Sequence, residues 1–502
     1  MASIAEINPS LEAERALSLR RGRLSWSGPQ IPAWAIVLVG AGACGIFAHY
    51  LAAGKTKYAV AIVLAAIFTP VAFFNLAAAV AVWGAVLYVQ DLHALSQGPN
   101  ALGVLVGLGW LGAFAARSGR FSVLKGHRGV LVTVFLFAVW ITLSTAWAQS
   151  PGTAGTQAGY YWLSAAVLLV VLTTVRTSRE ASVVALAFVI GGVLAALVGL
   201  ASGGLNTTTA TAQTTVSGRL TGGGGDPNLQ AAAFVASIFV IIGLFGFYRS
   251  RAVRIGLMLA LTLITIAFFA TESRGGLIAL GVAAIVAIVV SPRAQRRRII
   301  GLVVLMIVIA VVALGGKHGA LSRITDLGGG TSGRNDIWSV ASMVFKQHPI
   351  LGVGANNFSV VEPNYALDLR NATYVGYIAE TPLVIPAHNS YLQMLADVGI
   401  IGLVAYLAAI IACLRSYWQA VRLFDRSGRP AHAQLARACL MGTIGFLTAI
   451  FFITDGWDWR LWMLLGLGPA LLTLARRTSP LPDRARRVRE GARDPQAVIV
   501  GA

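Results

Sequence analysis

Long apolar segments separated by arginine-rich connections constrain the fold of this chain more than any other feature. Hydrophobic residues make up 57% of the 502 residues, charged residues only 12%, and the mean hydropathy is +0.74. This composition excludes an ordinary soluble domain and is typical of a polytopic membrane protein. In a soluble protein the net charge of +20 would indicate nucleic-acid binding. In a membrane protein the same charge can mark the cytoplasmic loops, and the positions of the Lys and Arg residues distinguish the two interpretations.

Fourteen apolar segments are predicted to be membrane helices. They cover residues 32–53, 57–69, 71–90, 99–117, 128–147, 158–175, 180–202, 228–248, 253–271, 274–291, 297–315, 397–415, 434–454 and 458–475. The fold class is therefore all-α: a polytopic transmembrane helical bundle of about 12–14 spans with a large extracytoplasmic loop that contains short amphipathic helices. Residues 57–90 are too long for one perpendicular span and too short for two, so we expect a hairpin that turns at Pro70.

The positive charges alternate between the two sides of this bundle. Of the 39 Lys and Arg residues, 29 fall on one side. They occupy the N-terminal tail, the connections near residues 117–128, 176–179, 249–254, 293–298 and 415–437, and the C-terminal tail. Because loops rich in Lys and Arg stay in the cytoplasm, both termini are predicted to be cytoplasmic. The chain is then a multi-pass protein of the cytoplasmic (inner) membrane, with its large loop and active site facing outside.

The chain is expected to have three regions. Residues 1–31 form a basic cytoplasmic tail, residues 32–475 a single membrane domain with the large outward loop at 316–397, and residues 476–502 a basic, disordered cytoplasmic tail. The first apolar segment is too long for the core of a signal peptide, so it is expected to be a retained span. No Cys-x-x-Cys occurs, so neither a disulfide framework nor a zinc site is indicated.

The large outward loop contains a periodic segment, GRNDIWSVASMVFKQ at 333–347. Its apolar residues recur at helical spacing, which predicts an amphipathic helix too short to span the membrane. Ser332 is a candidate N-cap, and Asp336 suits the positive end of the helix dipole. The helix should end at His348-Pro349, because the residue before proline is disfavoured in the helical region. Gly352 and Gly354 should then allow a sharp turn.

Two outward arginines are candidate anion ligands. Arg274 opens a membrane helix in TESRGGLIAL, and Arg334 opens the amphipathic helix. Guanidinium groups bind phosphate oxygens through two parallel hydrogen bonds and stay protonated, so a pair of them could hold a diphosphate. Arg274 could equally extend to lipid headgroups or pair with Glu272, and Arg334 could be a solvated surface residue.

His388 is the candidate general base. It lies in PAHNSYLQML, where Asn389 or Ser390 can cap the helix that follows. Histidine titrates close to neutral pH, which suits proton transfer, although a single histidine is more often structural. GGGGDPN at 222–228 lacks the Gly-Lys-Ser/Thr of a nucleotide-binding P-loop, so a flexible turn capped by Asp226 or Asn228 is expected there.

Five sequence elements together carry a family resemblance. RLTGGGGDPN at 219–228, SRGG at 273–276, GRNDIW at 333–338, HPILGVGANNF at 348–358 and AHNSYLQMLADVGIIGL at 387–403 resemble the successive motifs of the O-antigen ligase and O-antigen polymerase superfamily. The resemblance covers roughly residues 215–415, and segment 359–386 has no matching motif.

The resemblance implies a metal-independent membrane glycosyltransferase without a cofactor. Such an enzyme takes a glycan from an undecaprenyl-diphosphate-linked donor and joins it to an acceptor hydroxyl on a glycan or lipid, with a flippase or chain-length regulator as possible partners. It implies that His388 is the general base and that Arg274 and Arg334 bind the donor diphosphate. Auxiliary positions are Arg219, Asn228, Asp336 and Asn389.

Several alternatives stay open. Ligase and polymerase share these motifs, so the acceptor is undetermined. A peptidoglycan-type glycosyltransferase would ordinarily need an outward carboxylate, and none stands out. A polysaccharide or lipid transporter or flippase suits the many spans, but such proteins usually show internal repeats and broken helices. A scaffold protein is the remaining class.

Overall fold

The computed structural model describes residues 45–46, 48–92, 98–116, 118–201, 219–223, 225–314, 334–367 and 385–478. Every regular element within these ranges is a helix, which confirms the all-α fold class. The predicted tail 1–31 and most of the predicted tail 476–502 lie outside the described residues, as does the predicted N-cap Ser332. The three-region division of the chain stays a prediction.

The α-helices are numbered here in chain order. They are α1 (Thr56–Phe74), α2 (Leu76–Val86), α3 (Gly98–Ala116), α4 (Arg128–Leu143), α5 (Pro151–Thr174), α6 (Ser178–Ala201), α7 (Pro227–Phe247), α8 (Arg251–Ala270), α9 (Arg274–Val290), α10 (Arg293–Leu314), α11 (Arg334–Gln347), α12 (Phe358–Ala366), α13 (Ser390–Arg426), α14 (Pro430–Ala449) and α15 (Trp459–Thr478). Short 3-10 turns at Leu87–Val89, Ser118–His127 and Ser144–Ala146 extend or precede some of them.

Several helices are long and apolar enough to cross a membrane. Within the described ranges there are six of these, and shorter apolar helices accompany them. The six are Val123–Ala146, Pro151–Thr174, Ser178–Ala201, Pro227–Phe247, Arg251–Ala270 and Ser390–Arg426. The chain is therefore a multi-pass membrane protein, and the total of about 12–14 spans stays a prediction.

The described residues divide into two compact units, one up to Val63 and one from Leu64 onward. In the first, the rings of Tyr50 and Tyr58 stack with their centroids 5.2 Å apart. The expected turn at Pro70 is wrong, because α1 continues through this proline to Phe74. The break lies at Asn75, whose side chain accepts a hydrogen bond from the Ala78 backbone N–H at 3.2 Å and so starts α2. Proline is tolerated inside membrane helices, so it does not by itself set the break.

Helix α7 lies at the centre of the second unit. Its side chains are buried along most of its length, and it packs against α6, α8 and α14. Small residues allow the close approach to α14: a Cβ added at Gly243 would lie 2.6 Å from the Ala438 Cβ. Small residues at helix contacts are the usual means by which membrane helices pack closely.

Helix α13 is interrupted at Gly399, where φ is 66° and ψ is −171°. The carbonyls freed by this break accept hydrogen bonds from the loop that precedes α12. The Val353 N–H donates to the Ala396 carbonyl at 3.1 Å, and the Gly354 N–H donates to the Asp397 carbonyl at 2.7 Å. The sharp turn expected at Gly352 and Gly354 is confirmed, since both have positive φ. The loop and the break thus form one interlocked joint.

The amphipathic helix predicted in the large loop is confirmed as α11. It ends at Gln347, directly before His348-Pro349, as the sequence predicts. Its buried residues Ile337, Val340, Ala341 and Val344 share an apolar cluster with residues from α12 and the start of α13. Because α11 is covered on this face, its first residue, Arg334, is held beside the start of α13.

Candidate active site

His388 is held in a conformation that few residues other than glycine adopt. Its φ is +48°, in the left-handed region. Both neighbours fix this turn. The Ala387 carbonyl accepts from Trp338 Nε1 at 3.0 Å, and Asn389 caps α13 by accepting from the Tyr391 and Leu392 N–H groups, both at 3.0 Å. Backbone strain of this kind persists where the surroundings impose it and is often found at functional sites.

The two candidate arginines begin helices at the same end of the second unit. Arg274 is exposed at the first position of α9, after Ser273, whose hydroxyl accepts from the Gly276 N–H at 3.1 Å. Arg334 is half-buried at the first position of α11. Each guanidinium therefore lies close to the positive end of a helix dipole, an arrangement that favours an anionic ligand.

Electrostatic contacts join the predicted residues into one neighbourhood. Burial lowers the pKa of His388, the Arg334 guanidinium lowers it further, and the Asp226 carboxylate opposes both. Burial also lowers the pKa of Arg334, with Asp226 raising it and the Arg274 guanidinium lowering it. The structure therefore brings Arg274, Arg334 and His388 together, and both burial and the Arg334 charge favour the neutral form of the imidazole.

Asn228 ties α7 to the turn that carries Arg274. Its Oδ1 accepts from Arg219 Nη2 and from the Ser273 hydroxyl, both at 2.9 Å. Arg219 Nε also donates to the Thr271 carbonyl at 2.8 Å. Arg219 and Asn228, predicted as auxiliary residues, thus hold the turn in place.

The remaining predicted positions have simpler settings. Asp336 is half-buried in the first turn of α11, where its charge suits the helix dipole. Asn389 is the N-cap of α13. His348 is exposed and contacts the Tyr365 hydroxyl at 3.2 Å, which agrees with a turn residue outside the site.

Asp226 belongs to this neighbourhood, although the sequence indicated only a helix cap. Its side chain accepts from the Asn228 N–H at 2.6 Å and caps α7, as expected, and its charge acts on both Arg334 and His388. The position of an acid directly before Pro-Asn predicts the cap. Its approach to α11 and α13 is a tertiary contact between distant segments, which no local pattern reports.

A small cavity beside the start of α13 was also not predicted. The polar side chains of Gln157, Asn356, Gln393 and Thr454 are among those that line it. Gln393 Oε1 accepts from the Ala387 N–H at 2.8 Å, so one wall of the cavity fixes the residue before His388. Isolated amides within apolar helices are the signal that could have indicated it.

No group of three or more His, Cys, Asp or Glu side chains in the described ranges is arranged to hold a metal ion. Cys413 and Cys439 are buried free thiols. The charges that could face an anionic ligand here are guanidinium groups at helix starts.

Comparison with known protein families agrees with this arrangement. Residues 259–407 match the family model described as O-antigen ligase. This segment is an O-antigen ligase domain. The matched range contains four of the five motifs from which the resemblance was inferred, so that inference is confirmed. No curated protein matches the chain significantly.

The O-antigen ligase domain supplies Arg274, Arg334 and His388, all within the matched residues. Asp226 and Asn228 precede it and reach the same neighbourhood from the start of α7. The candidate site is therefore built by the O-antigen ligase domain together with one helix that comes before it.

Proposed function

We propose that this protein transfers or polymerises a glycan from an undecaprenyl-diphosphate-linked donor onto an acceptor hydroxyl at the outer face of the cytoplasmic membrane. The match of residues 259–407 to the O-antigen ligase family supports a membrane glycosyltransferase. The donor, the roles of the side chains and the outward orientation of the active site are part of the proposal.

One observation carries the proposal: two guanidinium groups and one imidazole of lowered pKa share a single electrostatic neighbourhood. A diphosphate needs fixed positive charge, and an attacking hydroxyl needs a neutral base. Arg274, Arg334 and His388 supply both, next to helix starts that also favour anions.

His388 acts as the general base in this scheme. Its neutral imidazole takes the proton from the acceptor hydroxyl as the hydroxyl oxygen forms a bond to the anomeric carbon. The bond from that carbon to the phosphate oxygen breaks, and the electron pair leaves with the lipid diphosphate. A single displacement of this kind inverts the anomeric configuration.

Arg274 and Arg334 stabilise the leaving group. Negative charge on the diphosphate oxygens grows as the bond breaks, and guanidinium groups already in position stabilise it without reorganisation. Asp226 keeps part of the positive charge balanced when no donor is bound. The scheme assigns no role to a metal ion.

The outward orientation follows from the distribution of arginine in the sequence, with both termini in the cytoplasm. A donor delivered across the membrane would then meet the site from the outer leaflet, and a flippase or chain-length regulator would be a natural partner. The acceptor decides between a ligase, which makes one transfer, and a polymerase, which extends a chain.

A transporter or flippase without transferase chemistry is the second candidate. The break in α13 at Gly399 is a feature that transporters share. Here, however, the freed carbonyls of Ala396 and Asp397 accept hydrogen bonds from the Val353 and Gly354 N–H groups, so the loop uses them. A base of lowered pKa also has no obvious part in moving a lipid, so transferase chemistry is favoured.

Reconstitution of the purified protein in proteoliposomes tests the proposal. The vesicles would contain an undecaprenyl-diphosphate glycan and candidate glycan or lipid acceptors, and products would be separated by mass. We expect transfer with the wild type and a loss of about 100-fold or more in His388→Ala, since a general base contributes roughly that factor. His348→Ala is the matched control, because His348 is exposed and lies outside the site.

Lysine substitutions test the diphosphate contacts. Arg274→Lys and Arg334→Lys keep the charge but lose the two-pronged hydrogen bonding, so both should raise the KM for the donor. Normal transfer by His388→Ala, or full activity in both lysine variants, would remove the assigned roles. Movement of the intact donor across the bilayer without any product would support the transporter instead.

A further inference from the structure

A second cavity lies at the other end of the bundle from the candidate active site. It is lined by residues from α7, α8, α9, α10 and α14. The lining includes Ala287, in the last turn of α9, and Ser291, the C-cap of this helix, whereas Arg274 opens the same helix. A helix of 17 residues is about 25 Å long, so the two sites are separated by most of a bilayer.

The walls of this cavity are mostly hydrocarbon. Phe239, Ile242, Met258, Ile299 and Leu302 are among the residues that line it. Such a surface between membrane helices is suited to an acyl chain, because lipid tails and apolar side chains pack with no polar group left unsatisfied.

Arginine is concentrated at one end of the same cavity. Arg254 and Arg437 line it, and Arg296 Nε donates to the carbonyl of the lining residue Ser291 at 3.1 Å. Arg437 is only 8% exposed and pairs with Asp425 through one guanidinium nitrogen. Among the described residues its buried Nε has no hydrogen-bond partner. A buried guanidinium donor without a partner is costly, and a phosphate oxygen would satisfy it.

We propose that this cavity binds one anionic phospholipid of the membrane, with an acyl chain among the apolar side chains and the phosphate against Arg254 and Arg437. Basic pockets between membrane helices, with hydrocarbon walls below them, are the expected form of such a site. The positive charge selects an anionic headgroup over a zwitterionic one. The site is separate from the proposed transfer chemistry and does not depend on it.

Native mass spectrometry and thermal unfolding of the full-length protein test this assignment. The probes are phosphatidylglycerol and phosphatidylcholine with identical acyl chains. We expect one retained phosphatidylglycerol and a raised midpoint temperature, with little effect of phosphatidylcholine. Arg254→Gln should weaken phosphatidylglycerol binding about tenfold, the size expected for one charge-assisted hydrogen bond. Arg251→Gln, exposed on the same helix and outside the cavity lining, is the matched control.

A second variant tests the hydrocarbon part without touching the charge. Ala287→Phe places a large side chain into the cavity and should abolish retention of phosphatidylglycerol. Three outcomes would overturn the assignment. These are equal stabilisation by both lipids, equal loss in Arg251→Gln and Arg254→Gln, and retention of a polyprenyl phosphate where a phospholipid is expected.

Discussion

Trp338 donates a hydrogen bond from its indole Nε1 to the carbonyl of Ala387 at 3.0 Å. This contact links α11, which begins at Arg334, to the residue directly before His388. This hydrogen bond is therefore a direct link between the segment that carries the candidate base and the helix that carries one candidate diphosphate ligand.

Trp338→Phe should separate these two segments slightly without unfolding the protein. It removes one hydrogen bond, which costs about 1 kcal/mol of stability. We expect the transfer rate to fall several-fold and its pH profile to shift, because the imidazole moves relative to Arg334. Trp110→Phe loses an equivalent bond, from Trp110 Nε1 to Thr173 at 2.8 Å, away from the site. If that control lowers transfer equally, the effect of Trp338 is one of stability alone.

The local structure of the large loop could be predicted from the sequence, because the signals are local. The spacing of Ile337, Val340 and Val344 predicted α11, and Pro349 predicted where it ends. The turn predicted at Pro70 was wrong, because a proline removes only one backbone hydrogen bond from a membrane helix and need not end it. The cap at Asn75 and tertiary packing set the position of the break.

In the candidate site, too, the residues with a local sequence signal were predicted, and the contacts that depend on tertiary packing were not. His388 and the two arginines were identified from motifs, whereas the effect of Asp226 on His388 was not. That effect depends on where the start of α7 lies relative to Arg334 and His388, and a single sequence carries no signal for the approach of such distant segments. The cavity at Gln393 had a local signal, the isolated amides of Gln157 and Gln393 within apolar helices, but the packing that brings them together is again a tertiary contact.

The pH dependence of transfer should follow the neutral form of His388. Its pKa in the folded protein lies below the ordinary value of 6.5, because of burial first and the Arg334 charge second. The rate should therefore be at its plateau at neutral pH and fall only as the pH drops below 6.5. The unfolded chain binds more protons in that window, so the stability contributed by this group also falls there. A rate that is still rising above pH 7 would contradict the assignment.

Asp226→Asn should move the acidic limb of that profile to lower pH. The Asp226 charge raises the pKa of His388, so its removal leaves the lowering effects of burial and Arg334 unopposed. Asparagine is as good an N-cap as aspartate, so α7 should keep its start. Asp336→Asn, in the first turn of α11, is the matched control and should leave the limb in place. The measurement is the transfer rate from pH 4.5 to 8, and an unchanged limb in Asp226→Asn would exclude the electrostatic link.

Asn228→Ala should weaken the hold on Arg274. It removes the acceptor for Arg219 and Ser273, both at 2.9 Å, and leaves these donors to be satisfied elsewhere. We expect a rise of several-fold in the KM for the lipid-linked donor, with a smaller change in kcat. Asn364→Ala, exposed on α12, should change neither. A fall in kcat alone would point to the acceptor side of the reaction and away from donor binding.

Gly399→Ala should destabilise the joint between α13 and the preceding loop. Gly399 has a φ of 66°, and a Cβ there would lie 2.1 Å from the Ile350 carbonyl oxygen, so neither the backbone nor its neighbour can accept it. The strain corresponds to about 1–3 kcal/mol, which would lower the midpoint temperature. Gly281→Ala is the matched control, because this helical glycine on α9 has open space around it and should be neutral or slightly stabilising. Equal midpoint temperatures of unfolding for the two variants would mean that the joint contributes no stability. The loop could then not fix the start of α13 beside Arg334.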